Sequence, residues 1–292
     1  MTELPIPKYL VISPVRDEEK YLEATIRSVI GQTLRPAEWI IVDDGSTDGT
    51  RGIIDWYAAQ HDWIRPVLRG NRGFRQAGAG VVEAFYDGYR AAQCTDWDFI
   101  VKLDGDLGLP PDYFARAFGA CAGQQRLGIC GGELYHELGG ELVKEACPRF
   151  HVRGATKIYR RECWEQIRGL QPAPGWDTID EVKANMLGWT TETLSELQVI
   201  HYRFTGTAES KWRDMVKNGR ADYFSGYHPL FMAVKCVYRM VARPHFAGAL
   251  GLAYGFLSAY FKGLPQVPDR ELIRYLRQQQ LRRLRGAATI WK

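Results

Sequence analysis

Three short apolar runs that each end in carboxylates constrain this chain more than any other feature. "KYLVISPVRDEE", "EWIIVDDGSTDGT" and "DFIVKLDGD" read as buried strands that run into polar, turn-forming residues. Helical patterns lie between them. Leu22, Ile26, Val29 and Ile30 recur at helical spacing, and Ile53, Ile54 and Tyr57 do so after Asp48, which is placed to cap that helix. "WIRPVLRG" is a further strand, and Val82, Phe85, Tyr86 and Tyr89 share one face of a helix over 79–92. Strand and helix alternate up to the fourth strand. That order predicts an α/β fold with a mostly parallel sheet and helices on both faces. In such sheets ligands bind beyond the carboxyl ends of the strands. Arg16-Asp17-Glu18, Asp43-Asp44 and Asp104-Gly105-Asp106 all fall at those ends.

The 292 residues suffice for one large α/β domain or two small ones. The hydrophobic share of 46% and charged share of 25% are those of an ordinary soluble protein. A net charge of +4 does not by itself imply nucleic-acid binding, and no nucleic-acid partner is expected. The six cysteines form no C-x-x-C pair, which argues against a zinc site or disulfide scaffold and fits a reducing compartment. "MTELPIPKYLVISPVRDEEK" lacks the basic start and long apolar core of a signal peptide, so a cytoplasmic location is expected.

Two carboxylates separated by one glycine at a strand end repel each other unless a cation lies between them. Asp104 and Asp106 suit a hard divalent ion such as Mg²⁺ or Mn²⁺, with Gly105 letting the backbone turn so that both side chains face one point. The bland alternative is a plain turn, for which "DGD" is a common composition.

Four segments carry a resemblance to the family-2 glycosyltransferases, whose fold is the nucleotide-diphospho-sugar transferase (GT-A) fold. They are "VISPVRDEE", "IIVDDGSTDGT", "VKLDGDLGLPPDYF", and "GATKIYRRECWEQIRGL" leading into "GWDTIDE"; together they span roughly Leu10 to Arg203. The resemblance implies a Rossmann-like GT-A domain and an inverting, metal-dependent transfer from a nucleotide-diphospho-sugar, with UDP-sugars favoured. Pro14, Val15 and Glu18 would line the base pocket, and Asp43 or Asp44 would accept a hydrogen bond from the base imide. Arg75 would contact phosphate, with a solvated loop arginine as the alternative. Asp104, Gly105 and Asp106 would lie at the donor diphosphate, both aspartates binding Mn²⁺ or Mg²⁺, and His201 would be a further metal ligand.

The resemblance implies an acidic pair at the start of a helix facing the acceptor, and "GWDTIDEVKANMLGW" offers three carboxylates. Residue type favours Asp180 with Glu181; counting back from Gly188 favours Asp177. Asp180 is placed ahead. Thr178 and Glu181 also match a capping box, which would give Glu181 a structural role. Trp176 either stacks on a sugar or packs in the core. The acceptor expected is a lipid-linked or cell-surface glycan. Two other readings are a nucleotidyltransferase, for which "SPVRDEEKYL" lacks a glycine-rich triphosphate loop, and a pseudo-enzyme that only binds nucleotide.

The expected organisation is a GT-A domain over 1–224, with a donor half to about 126 and an acceptor half from about 127, then a helical extension over 225–292. Phe246 to Phe261 holds no charge, somewhat short of the roughly 20 residues a bilayer span requires. It contains Gly251-x-x-x-Gly255, a spacing for close helix contact. Beyond it come Arg270, Arg274, Arg277, Arg282, Arg283 and Arg285, with an apolar stripe of Leu272, Ile273, Leu276, Leu281 and Leu284. The pattern predicts a peripheral anchor at the inner face of the membrane, with the stripe toward the acyl chains. The alternatives are a helix pair closing the core or an oligomer contact.

Overall fold

β1 (Tyr9–Val15) lies between β2 (Glu38–Asp43) and β4 (Phe99–Leu103), both parallel to it, and β3 (Ile64–Leu68) extends the sheet beside β2. The computed structural model describes residues 6–73, 78–145, 147–148, 150–203, 208–241 and 245–291. Successive residues of β1 serve opposite faces. Tyr9, Val11 and Val15 join a core with α1 (Leu22–Ile30), α2 (Thr50–Ala58) and α4 (Tyr113–Gly123). Leu10 and Ile12 join a second core with α3 (Ala79–Ala91) and α5 (Arg161–Ile167). Both faces are covered, so these strands read as continuous apolar runs. Asp48 sits just ahead of α2 and accepts from the Thr50 amide at 3.0 Å.

The second half of the sheet is mixed. β8 (Thr156–Arg160) runs antiparallel to β4, and β6 (Leu127–Leu138) antiparallel to β8. β9 (Thr190–His201) lies parallel to β6, and short β5 (Leu107–Gly108) pairs antiparallel with β9. The order is β3-β2-β1-β4-β8-β6-β9-β5, with β7 (Glu141–Lys144) on the side of β6. The chain therefore leaves β4 in the parallel half and enters β5 in the mixed half. Asp104-Gly105-Asp106 is the link between them.

Five helices complete the chain: α6 (Trp176–Met186), α7 (Ala208–Phe224), α8 (Pro229–Val241), α9 (His245–Phe261) and α10 (Arg270–Leu284). They share a third core. Leu272 and Leu276 of α10, 1% and 0% exposed, cluster there with Ile179 and Val182 of α6 and with Leu252 and Phe256 of α9. The first part of the stripe expected to face lipid, Leu272 and Leu276, is instead buried against α6 and α9, while Leu281 and Leu284 are half-buried. Asp269 caps α10, accepting from the Leu272 amide at 3.0 Å, and pairs with Lys183 of α6. Gly219 and Gly255 let α7 and α9 touch along their backbones. A Cβ on Gly219 would lie 2.1 Å from the Leu252 carbonyl oxygen, and one on Gly255 2.1 Å from that of Val216. The glycine pair of α9 is thus spent on a contact within the chain. Among the described residues no helix is long and apolar enough to cross a membrane.

Candidate active site

Leu107 of β5 pairs in register with His201 of β9, and this brings His201 beside Asp106. His201 Nε2 stands 3.5 Å from Asp106 Oδ2, and the Tyr202 amide donates to the Asp106 carbonyl at 2.9 Å. Arg203 Nε donates to Asp106 Oδ2 at 3.1 Å, and the same guanidinium pairs with Glu18 after β1. Residues far apart in sequence are thereby drawn to one point. Asp104 pairs with Lys102, whose Nζ also donates to the Gly154 carbonyl at 2.6 Å.

Gly105 is required for space rather than for its backbone angles. It lies outside the left-handed region, but a Cβ there would stand 2.7 Å from Val15 Cγ1. Val15 itself is 2% exposed and serves as this packing partner.

Burial pushes the Asp104 carboxyl upward, with Asp106 adding to it against the pull of Lys102. Burial also acts upward on Asp106, but His201 and Arg203 outweigh it and hold that carboxyl below its usual value. For His201 burial acts downward; Asp106 and Glu145 outweigh it and raise the imidazole to about 9. Asp106 Oδ1 is buried and has no hydrogen-bond partner among the described residues. A buried carboxylate oxygen without a donor carries a large desolvation cost. Two carboxylates and an imidazole form a donor set suited to Mn²⁺ or Mg²⁺, and the orphaned oxygen fits a cation.

His136 and Glu145 lie behind His201. Glu145 Oε2 is 3.7 Å from His136 Nε2 and 3.8 Å from His201 Nδ1. The two imidazoles stack at 5.0 Å with 27° between planes. Lone pairs lie in the ring planes, so those of nearly parallel rings run side by side instead of converging on one ion. Glu145 is better placed to orient His201 than to share a metal with it.

Pro14, Glu18, Asp104, Gly105 and Asp106 line one cavity of about 280 Å³, together with Asp177 and His201. Larger cavities occur elsewhere, one of about 770 Å³, so size does not single this one out; the convergence of carboxylates does. Asp43 and Asp44, both buried, do not line it. Asp43 accepts from the Ser46 amide at 2.8 Å, closing the turn after β2, and Asp44 pairs with Arg69 and Arg72. Arg75 lies outside the described residues.

The three candidate bases separate sharply. α6 starts behind Gly175, whose φ of 77° is the left-handed conformation glycine tolerates. Thr178 is therefore inside the first turn, and the expected capping box does not form. Asp177 sits in that first turn, where the helix dipole favours a carboxylate, and reaches the cavity with its side chain 31% exposed. Asp180 and Glu181 point the other way. Lys157, 0% exposed, donates to Asp180 at 2.8 and 2.9 Å and lies 3.0 Å from Glu181. Tyr159 donates to Asp180 at 2.5 Å; Glu181 accepts from the Val152 amide at 2.7 Å and from His151 at 2.8 Å. Burial pushes Asp180 up to about 6, with Glu181 adding to it against Lys157. Asp180, placed ahead by residue type, is thus a buried ion-pair partner, and Asp177 is the carboxylate that meets the cavity. Trp176, 7% exposed, packs under Lys102 and Lys157, whose Nζ atoms stand 5.6 and 5.5 Å from its ring.

Arg203, Lys102, Lys157 and His151 escaped the reading of the sequence. None lies in a spacing that marks a site; "VKLDGD" alone hinted that Lys102 could reach Asp104.

The family model for glycosyl transferase family 2 matches residues 10–162. The chain is similar to the putative glycosyltransferase EpsH of Bacillus subtilis, at 28% identity over 58% of this chain and 52% of that protein. It is similar to the uncharacterized glycosyltransferase alr2836 of Nostoc, at 42% identity over 30% of this chain and 24% of that one. The chain thus spans at most about half the length of these relatives. Among solved structures, it resembles the mannosyltransferase PcManGT of Pyrobaculum calidifontis, in complex with GDP-Man and Mn²⁺, with a TM-score of 0.57 and 16% identity. That likeness covers 94% of this chain and 84% of the other. It also resembles S. aureus TarS 1-349 in complex with UDP-GlcNAc, with a TM-score of 0.54 and 18% identity, over 87% of this chain and 73% of TarS. These likenesses carry the GT-A fold. The chain belongs to glycosyl transferase family 2.

Proposed function

We propose that this chain transfers a sugar from a nucleoside-diphosphate sugar to a hydroxyl of a lipid-linked or cell-surface glycan, with inversion at the anomeric carbon. The observation that carries this reading is that Asp104, Asp106, His201 and Asp177 line one cavity at the carboxyl ends of the parallel strands. Asp104, Asp106 and His201 would hold Mn²⁺ or Mg²⁺. When bound, that ion offsets the charge that develops on the departing diphosphate.

The chain's own residues supply the rest. Arg203 fixes Glu18 against Asp106 and adds a cation on the donor side. Glu145, 3.8 Å from His201 Nδ1, places a negative charge on the far side of that ring. Asp177, open to the cavity, takes the proton from the acceptor hydroxyl as that oxygen attacks. No enzyme-bound sugar is required, and among the described residues no Ser, Thr or Cys lines this cavity. UDP-sugars are the first choice of donor, in keeping with the UDP-GlcNAc complex of TarS; GDP-sugars are the competitor, since PcManGT is described with GDP-Man. The glycan acceptor accords with relatives named chondroitin synthase and poly-beta-1,6-N-acetyl-D-glucosamine synthase.

The test is calorimetric titration of UDP- and GDP-sugars into the full chain with Mn²⁺ or with excess chelator, repeated on Asp106→Ala. Donor binding should require metal and be lost in the variant, with the fold retained. Undiminished binding or turnover in chelator, or a fully active Asp106→Ala, would overturn the metal assignment.

A further inference from the structure

α9 has no polar side to show to water. From Phe246 to Phe261 it carries no charged residue, and its inner face is already used against α7 and the third core. Its outer face still presents Phe246, Leu250, Tyr254, Leu257 and Phe261, between 47% and 81% exposed. These follow one another at three- and four-residue steps and form one continuous stripe. A helix that is apolar on all sides is normally covered on all sides, and a patch of this kind marks an interaction surface.

The neighbouring charge indicates what covers it. Arg213, Lys217 and Arg220 of α7 are exposed and spaced so as to share one helix face. They line an open cavity of about 490 Å³ with Trp212 and with Tyr254 of the α9 stripe. Trp212 and Tyr254 stack at 6.3 Å, joining the basic ridge to the apolar face. Asp214 is the one acid among residues 212–220. The bias extends through the segment: residues 208–292 hold 15 of the chain's 38 Lys and Arg but only 5 of its 34 Asp and Glu.

We propose that the outer face of α9, with the Arg213–Lys217–Arg220 ridge of α7 beside it, is a docking surface for an anionic lipid bilayer. The apolar stripe would enter the headgroup boundary while the ridge meets lipid phosphates and the two aromatic rings sit at the interface. A second copy of the chain is the rival occupant. A two-fold contact places the same patch against itself, and a second copy of a basic patch whose one acid over 212–220 is Asp214 does not complement its charge, so the charge favours lipid. The proposal does not extend to α10, whose Leu272 and Leu276 are buried in the third core.

The experiment is flotation of the full chain with vesicles of phosphatidylcholine alone or mixed with phosphatidylglycerol, at low and high salt. It needs no activity and is independent of the proposed reaction. The chain should float with the anionic vesicles and come off partly in salt. Replacing Arg213, Lys217 and Arg220 together by Gln should weaken partitioning about 100-fold, at about five-fold per basic residue. Leu250→Ser with Leu257→Ser should remove the part that survives high salt. These side chains are exposed, so thermal melting of both variants should stay near that of the parent. Failure of the full chain to float at low salt overturns the proposal. So does equal flotation of the parent and the arginine–lysine variant. So, too, does a dimer in analytical ultracentrifugation that the Leu250→Ser, Leu257→Ser variant dissolves.

Discussion

Lys157 Nζ lies 2.8 and 2.9 Å from the two carboxylate oxygens of Asp180, and neither side chain is more than 1% exposed. The same ammonium donates to the Asp177 carbonyl at 2.6 Å and stands 3.0 Å from Glu181. One buried cation thus holds the first turns of α6 against β8. Burial acts downward on Lys157, but Asp180 and Glu181 outweigh it and keep it charged.

Lys157→Met should leave two buried carboxylates short of a partner. Removing one member of a buried pair costs about 3–5 kcal/mol. Urea denaturation should show a loss on that scale, and donor-dependent activity should fall with the folded fraction. A variant as stable as the parent would show that the pair does not hold α6.

His151 should give stability a pH dependence. Its Nδ1 lies 2.8 Å from Glu181 and its Nε2 4.0 Å from Asp177, with the charge of Lys157 opposing and the Cys147 thiol on its carbonyl at 3.2 Å. Burial acts downward on the imidazole, but Glu181 and then Asp177 outweigh it and raise it above its usual value. A raised histidine contributes stability that is complete below its unfolded value of about 6.5 and fades as pH climbs through the folded one. Unfolding free energy should therefore decline above about pH 6.5, and His151→Gln should flatten that decline. An unchanged slope in His151→Gln would assign the effect elsewhere.

Gly105→Ala should disturb the donor side without removing a charge. Its Cβ would meet Val15 Cγ1 at 2.7 Å and Leu22 Cδ1 at 3.4 Å. Overpacking of this kind costs about 1–3 kcal/mol, and nucleotide affinity should drop as the aspartates on either side shift. Adding Val15→Ala should recover part of both losses. No recovery in the double variant would mean that steric contact with Val15 is not the reason for the glycine.

The parallel half of the sheet was legible in the sequence because strands buried on both faces leave unbroken apolar runs, and the turns after them must be polar. The same logic marked Asp104 and Asp106 at a strand end, whereas His201 entered through the family resemblance alone. The choice between Asp177 and Asp180 was not legible. The two differ in which way they face across α6, and that is decided by Lys157 on β8 and by where Gly175 starts the helix. Arg203 was missed because its link to Glu18 joins positions 185 residues apart with no spacing rule between them. The stripe of α10 was visible as amphipathic, but periodicity reports only that a face is covered. Here the third core covers Leu272 and Leu276, and the exposed apolar stripe belongs to α9.

The most direct measurement of the central claim is steady-state kinetics of Asp177→Asn beside Asp180→Asn, with donor affinity and thermal melting recorded on each. The cavity geometry predicts that Asp177→Asn loses about 10²-fold or more in kcat, the scale of general-base loss, while donor Kd and melting stay near those of the parent. Asp180→Asn should melt lower but turn over when folded. A nearly normal kcat for Asp177→Asn, with a dead but stably folded Asp180→Asn, would contradict the account.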